Sequence, residues 1–475
     1  MTALFPRWVL VAACALTIVG VAASSNAALW ATGVLALGVA FWLLDGAQAN
    51  RVLLWVIVVN WLQIVGDLLN ADLTYGSLTS GWAGSYQAEA IAFSLCAVLA
   101  LSLGMRWGTQ WGGRMFRSPV RIGSSSVTGN EGDISIERAV IWYFLSLPIT
   151  WIFGLVAASV PVIAQPFHAM LLIKFVCVYL VAAKAFESRR GYGWLALVAV
   201  LEMVTGLTGY FSGYKEGIIV MLIALASSPR RLTAVDCLTA VVAMFALVWV
   251  SLVWTQIKME YRYNVSYQPI EQRLDWMAHQ FLVSDIDYGT VMKLSARIGY
   301  TKLFSRIIAQ EPGVSHPDTF RFYASAVEHV LTPRIIFTDK AALNDSKITS
   351  ALLGWKIDNI TSIGVGYVAQ AYVDFGFPGL LLPILSIGIM LGAAAKYFMT
   401  RSAPLLIRQA FATATLFLAF PFESDIDKAL GGFITGFIAM ALTLKFGYPM
   451  IAPRLAVRQA RHRMVAGGPT GNVPT

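Results

Sequence analysis

An all-α, polytopic membrane fold is what this sequence predicts, and three observations predict it. Mean hydropathy is +0.66. Only 13% of the 475 residues are Asp, Glu, Lys or Arg. Apolar runs of roughly 17 to 23 residues, each long enough to cross about 30 Å of hydrocarbon as a helix, recur along almost the whole chain. A soluble fold of this length around one core is excluded by so apolar a composition.

About twelve spans follow: residues 8–23, 27–44, 51–69, 87–105, 139–158, 167–186, 193–209, 215–228, 234–255, 378–397, 404–421 and 430–448. The eighth is short enough to be partly re-entrant. Arg7 ahead of the first span and the small residues of "AASSNAA" after it resemble a signal peptide, but a second span follows at once, so the first is expected to be retained. Alternate connections carry the basic residues: Arg51; Arg106, Arg114, Arg117 and Arg121; Arg189 and Arg190; Arg230 and Arg231; Lys396 and Arg401; and Arg454, Arg458, Arg461 and Arg463. Basic residues stay on the cytoplasmic side, which places both termini there. That topology accounts for much of the net charge of +9, so nucleic acid is not an expected partner. Cys14, Cys96, Cys177 and Cys237 all fall inside spans without CxxC spacing and read as small apolar residues.

Five segments result. Residues 1–255 hold spans one to nine, with a flexible cytoplasmic loop at 106–138 whose "RIGSSSVTGNEGD" cannot build a core. Residues 256–361 form a large loop outside the cytoplasm, rich in charge of both signs. Residues 362–377 form a short helix at the membrane edge, 378–448 the last three spans, and 449–475 a basic, disordered tail. In the large loop, Ile270, Leu274, Met277 and Phe281 recur at helical spacing, predicting a helix on the bilayer surface or capping the bundle. A second helix is predicted from Gly289 to Gln310, with Lys293 and Arg297 on one face and Lys302 and Arg306 on another; 345–361 reads as irregular.

Charges inside spans cost about 2.5–3.5 kcal/mol each at mid-membrane and therefore need a reason. Lys174 and Glu202 pair in packing or line a cavity; Arg408 lies in another span, and Asp67 reads as solvated near an interface. In "GYFSGYKEG" a glycine-rich turn opens a helix carrying Lys215, whose free N–H groups and positive dipole suit a phosphate, unless Lys215 merely snorkels. Arg334 and Lys340, in "EHVLTPRIIFTDKAALNDS", are two cations suited to one oxygen-rich anion such as pyrophosphate; His329, Asp339 and Asp345 are candidate bases beside them. No Walker loop, GxGxxG, HExxH or GxSxG is present, and the five histidines lack metal-ligand spacing, so neither metal nor cofactor is expected.

Taken together, the spans, the large outer loop, "GYFSGYKEG", "LTPRIIFTDKAALND" and "GVGYVAQAYVDFGFPGLLL" resemble oligosaccharide repeat-unit polymerases of the Wzy type, relatives of the O-antigen ligases. The resemblance implies a GT-C-like glycosyltransferase architecture in the bacterial inner membrane. It implies polymerisation of undecaprenyl-pyrophosphate-linked oligosaccharides at the periplasmic face, for O-antigen, capsule or exopolysaccharide. It further implies partners in the lipid bilayer, a chain-length regulator and a flippase. Carried across, Lys215, Arg334 and Lys340 would hold pyrophosphate with Arg273 and Arg297 in reserve, and His329, Asp374 or Glu423 would act as base. Lys215 departs from the arginine usual in that turn. Lysine brings a point charge where arginine brings a bidentate fork. An O-antigen ligase, or a transporter or flippase, remains the competing expectation.

Overall fold

In the computed structural model the described residues are 18, 21–45, 51–74, 76–78, 86–115, 134–208, 213–228, 230, 232–310, 321–332, 336–337, 345–354 and 363–450. Among them every regular element is helical. In chain order these are α1 (Ala27–Asp45), α2 (Val52–Thr74), α3 (Tyr86–Met115), α4 (Ile136–Ser159), α5 (Ala164–Met170), α6 (Leu172–Ser188), α7 (Tyr192–Thr208), α8 (Tyr214–Ala226) and α9 (Ala234–Glu260). The loop region supplies α10 (Ile270–Val283), α11 (Tyr288–Ile298), α12 (Thr301–Gln310), α13 (Arg321–Leu331) and α14 (Asp345–Leu353). The chain closes with α15 (Tyr367–Gly379), α16 (Leu381–Met399), α17 (Leu405–Leu416) and α18 (Ile426–Leu442).

Eight of the described helical segments are long and apolar enough to span a bilayer. Helix α7, at 17 residues, matches the length of its expected span, whereas α8 and α17, at 13 and 12 residues, are shorter than theirs. Most of the expected span at 8–23 lies outside the described residues.

The helical frame is set by α3 and α16, which have the most extensive mutual contact in the bundle. Gly104, Gly108 and Gly112 recur every four residues on α3, and Gly388 and Gly392 do so on α16. A methyl group on Gly108 would lie 2.1 Å from the carbonyl oxygen of Ile389, and one on Gly392 would lie 2.1 Å from that of Met105. Small residues at four-residue spacing let two backbones touch where lipid supplies no hydrophobic drive. This packing carries α3 as ordered helix to Met115, well into the 106–138 segment expected to be a loop.

The loop region holds two further corrections. The expected helix over Gly289–Gln310 breaks at Gly299 and Tyr300, because the Tyr300 N–H donates to the Gln63 carbonyl at 2.8 Å and Asp67 of α2 caps the new start at Thr301. Asp67, expected to be solvated, is fully buried by that contact. Residues 345–353, expected to be irregular, are the helix α14. The stripe on α10 is realised in part: Met277 is buried in a small second core with Val253, Trp254, Ile257 and Tyr261, and Phe281 packs against that core. Ile270 and Leu274 stay exposed. Helix α12 is anchored the other way, by burying Phe304, Ile307 and Ile308, each contributing about 1.5–3 kcal/mol.

Lys174 and Glu202 form an ion pair at 2.9 Å, and the Tyr143 hydroxyl donates to the second Glu202 oxygen at 2.9 Å. Three helices, α4, α6 and α7, are thereby tied through one buried carboxylate. Cys96, Cys177 and Cys237 are free thiols.

Candidate functional site

Cations on four separate helices converge on one cavity of about 1060 Å³. Lys258 comes from the end of α9; Lys293 and Arg297, one turn apart, come from α11; Lys302 opens α12; and Lys428 opens α18. Among the described residues Glu423 is the one acidic residue in the lining, and the backbone of Gly364 completes a wall. Lys258 lies at the end of α9 opposite the one adjoining Arg230, and Glu423 follows the end of α17 opposite the one adjoining Arg401.

Electrostatically the cavity is unbalanced. Lys258, Lys293 and Arg297 make no ion pair among the described residues. Arg297 lies near enough to Lys258 to repel its charge, as does Arg262. Such an excess is unfavourable in an empty cavity and favourable once an anion enters, each charge-assisted contact contributing about 1.5–3 kcal/mol. Side chains drawn from α9, α11, α12 and the 423–428 segment suit an anion with several oxygens over a monovalent one.

The walls are held by contacts between residues far apart in the chain. Asp67 Oδ2 accepts from the Thr301 N–H at 2.6 Å and from Thr301 Oγ1 at 2.7 Å, while Lys302 Nζ sits 3.9 Å from Oδ1. Burying a carboxylate costs several kcal/mol, and these contacts are what offset it. On the facing wall the Phe422 N–H donates to Gln63 Oε1 at 2.8 Å. The Gly366 N–H donates to Asp425 Oδ1 at 3.0 Å and the Tyr367 N–H to the Ser424 carbonyl at 2.8 Å. Gly366 has φ of +90°, and a side chain there would meet the Phe422 carbonyl, so this position requires glycine. Asp287 caps α11 from outside the cavity, accepting from the Thr290 N–H at 2.7 Å and Thr290 Oγ1 at 2.6 Å, which holds its carboxyl below the usual range.

Of the site residues expected from sequence, Arg297 and Glu423 line this cavity together, joined by Lys293 and Lys302 of the same expected helix. Lys215 is exposed at the start of α8 and outside the lining, although its neighbour Tyr214 lies within electrostatic reach of Arg297 and donates its hydroxyl to Ser251 Oγ at 2.9 Å. Arg273 is half-buried on α10 and not in the lining. His329 lines a different cavity, of about 570 Å³, with Gln165, Phe167, Met170 and Gly431. Asp374 is fully buried and accepts from the N–H groups of Phe322 at 3.0 Å and Tyr323 at 2.9 Å, which makes it the cap of α13. Arg334 and Lys340 lie outside the described residues. Sequence reasoning passed over Lys258 and Lys428 as site residues. Lys428 stands five positions from Glu423 in "PFESDIDKALGG", and Lys258 continues an apolar helix past its expected end.

No family model, no curated protein and no solved structure matches this chain.

Proposed function

We propose that this protein is a membrane glycosyltransferase that polymerises oligosaccharide repeat units carried on undecaprenyl pyrophosphate, acting at the periplasmic face of the bacterial inner membrane. The single observation that carries the reading is the cavity with five cations, Lys258, Lys293, Arg297, Lys302 and Lys428, around one carboxylate, Glu423. The family resemblance supplies the substrate. A hydroxyl of an incoming lipid-linked unit attacks the anomeric carbon at the reducing end of the growing chain. The new C–O bond forms as the bond to pyrophosphate oxygen breaks, and the electron pair leaves with the lipid pyrophosphate. The cations take up the charge that develops on that leaving group. Glu423 accepts the proton from the attacking hydroxyl.

A transporter is the weaker reading because its strongest support, the intramembrane pair Lys174 and Glu202, is closed on itself and on Tyr143. A ligase would use the same leaving group and differ in its acceptor.

The test is deletion of the gene followed by gel analysis of surface glycans and of undecaprenyl-linked intermediates. Accumulated single repeat units are expected. Intermediates held on the cytoplasmic leaflet would point to a flippase, and full-length polymer missing only from its final acceptor would point to a ligase.

A further inference from the structure

Two side chains one turn apart on α2 reach opposite walls of the cation cavity. Asp67 holds the wall that carries Lys302. Its Oδ2 is taken by the Thr301 backbone and hydroxyl at 2.6 and 2.7 Å, leaving Oδ1, which accepts no hydrogen bond among the described residues, facing Lys302 Nζ at 3.9 Å. The lysine is therefore drawn by charge without being locked by a hydrogen bond, and its ammonium remains in the cavity lining. Gln63 holds both walls. Its carbonyl accepts from the Tyr300 N–H at 2.8 Å and its side-chain Oε1 accepts from the Phe422 N–H at 2.8 Å, next to Glu423.

The fit around this turn is close. A methyl on Gly299 would lie 2.1 Å from Asp67 Oδ1, and one on Gly66 would lie 2.9 Å from Ile298. Little room exists for the walls to shift relative to α2. Neither Gln63 nor Asp67 lines the cavity itself.

We propose that Gln63 and Asp67 are positioning residues of the anion site. Asp67 sets where the Lys302 ammonium meets the ligand, and Gln63 sets the distance between that wall and Glu423. This inference rests on the reading of the cavity as a pyrophosphate site. It makes the two residues separable by experiment: Asp67 acts through a cation and so on affinity, whereas Gln63 acts through the carboxylate wall and so on turnover.

The experiment uses full-length protein purified in detergent, with inorganic pyrophosphate as the binding probe and polymer formation from lipid-linked repeat units as the turnover assay. Asp67→Asn keeps an acceptor for the Thr301 N–H but removes the charge; it is expected to weaken pyrophosphate binding about fivefold, in the direction of Lys302→Ala. Gln63→Leu is expected to leave pyrophosphate binding within about twofold and to lower the rate of polymer formation about tenfold. Folded Asp67→Asn protein with wild-type pyrophosphate affinity overturns the role of Asp67, and wild-type turnover in Gln63→Leu overturns that of Gln63. If Asp67→Asn does not fold, the Gln63→Leu split between binding and turnover decides the proposal. Should the wild-type protein polymerise without binding pyrophosphate in competition with its substrate, the anion-site reading itself falls, and the inference with it.

Discussion

Two charged clusters sit in the same chain and have opposite designs. Around Glu202, the carboxylate meets one lysine, Lys174, and one hydroxyl, that of Tyr143, within hydrogen-bonding distance, with Glu216 in electrostatic reach of the pair. Around Glu423, one carboxylate shares a cavity with five cations drawn from α9, α11, α12 and α18. The first cluster pairs its opposite charges directly; the second carries an excess of positive charge among its described lining residues. The two clusters thus differ in their balance of charge and not in its presence in an apolar setting.

The sharpest way to break the contrast is Arg297→Ala. Removing the cation that lines the cavity with Lys258 is expected to abolish polymer in a cell-based glycan gel, with single-repeat lipid intermediates accumulating and protein abundance unchanged. Loss of abundance would instead put Arg297 in the packing class with Lys174. Glu423→Gln comes next: polymer formation is expected to fall about 10²-fold while binding of the lipid-linked donor persists, as for removal of a general base.

Lys174→Met tests the other cluster. Leaving Glu202 buried without its partner should destabilise the protein by about 3–5 kcal/mol in thermal or denaturant unfolding, and the double substitution Lys174→Met with Glu202→Gln should recover most of the loss. Catalytic rate per folded molecule is expected to stay near wild type in that double variant. The smallest effect concerns Asp287. Its folded carboxyl is held below the usual range by Thr290, so the stabilisation of the α11 start is present above the unfolded carboxylate range and is lost as pH falls through the folded value. Amide exchange at Thr290 should accelerate in that acidic window, and Asp287→Asn should remove the pH dependence.

Much of the helical frame was legible because hydropathy reports it directly: eleven of the expected spans fall on described helices, and the start of α9 is marked by Thr233 and Asp236 as a reciprocal cap. The break at Gly299 and Tyr300 was not legible, since α11 and α12 share a continuous amphipathic pattern and the interruption is imposed by Gln63 and Asp67 from more than two hundred positions away. Asp67 looked like an ordinary solvated residue for the same reason. Its partners are invisible along the chain. Arg297 and Glu423 were picked out as individual chemistries, yet their common cavity depends on the meeting of α9, α11 and α18, which no local spacing encodes.

The glycine contact between α3 and α16 has a bearing on where the bundle can yield. With backbones touching at Gly108 and Gly392, that pair has no slack for sliding or opening. Helix α9 is the reverse case: Val235, Leu238, Val241 and Phe245 point outward, and its far end rests on the small second core. The cavity at Lys258 therefore has one wall on a lightly packed helix, α9, in a bundle whose tightest seam is stitched by glycine.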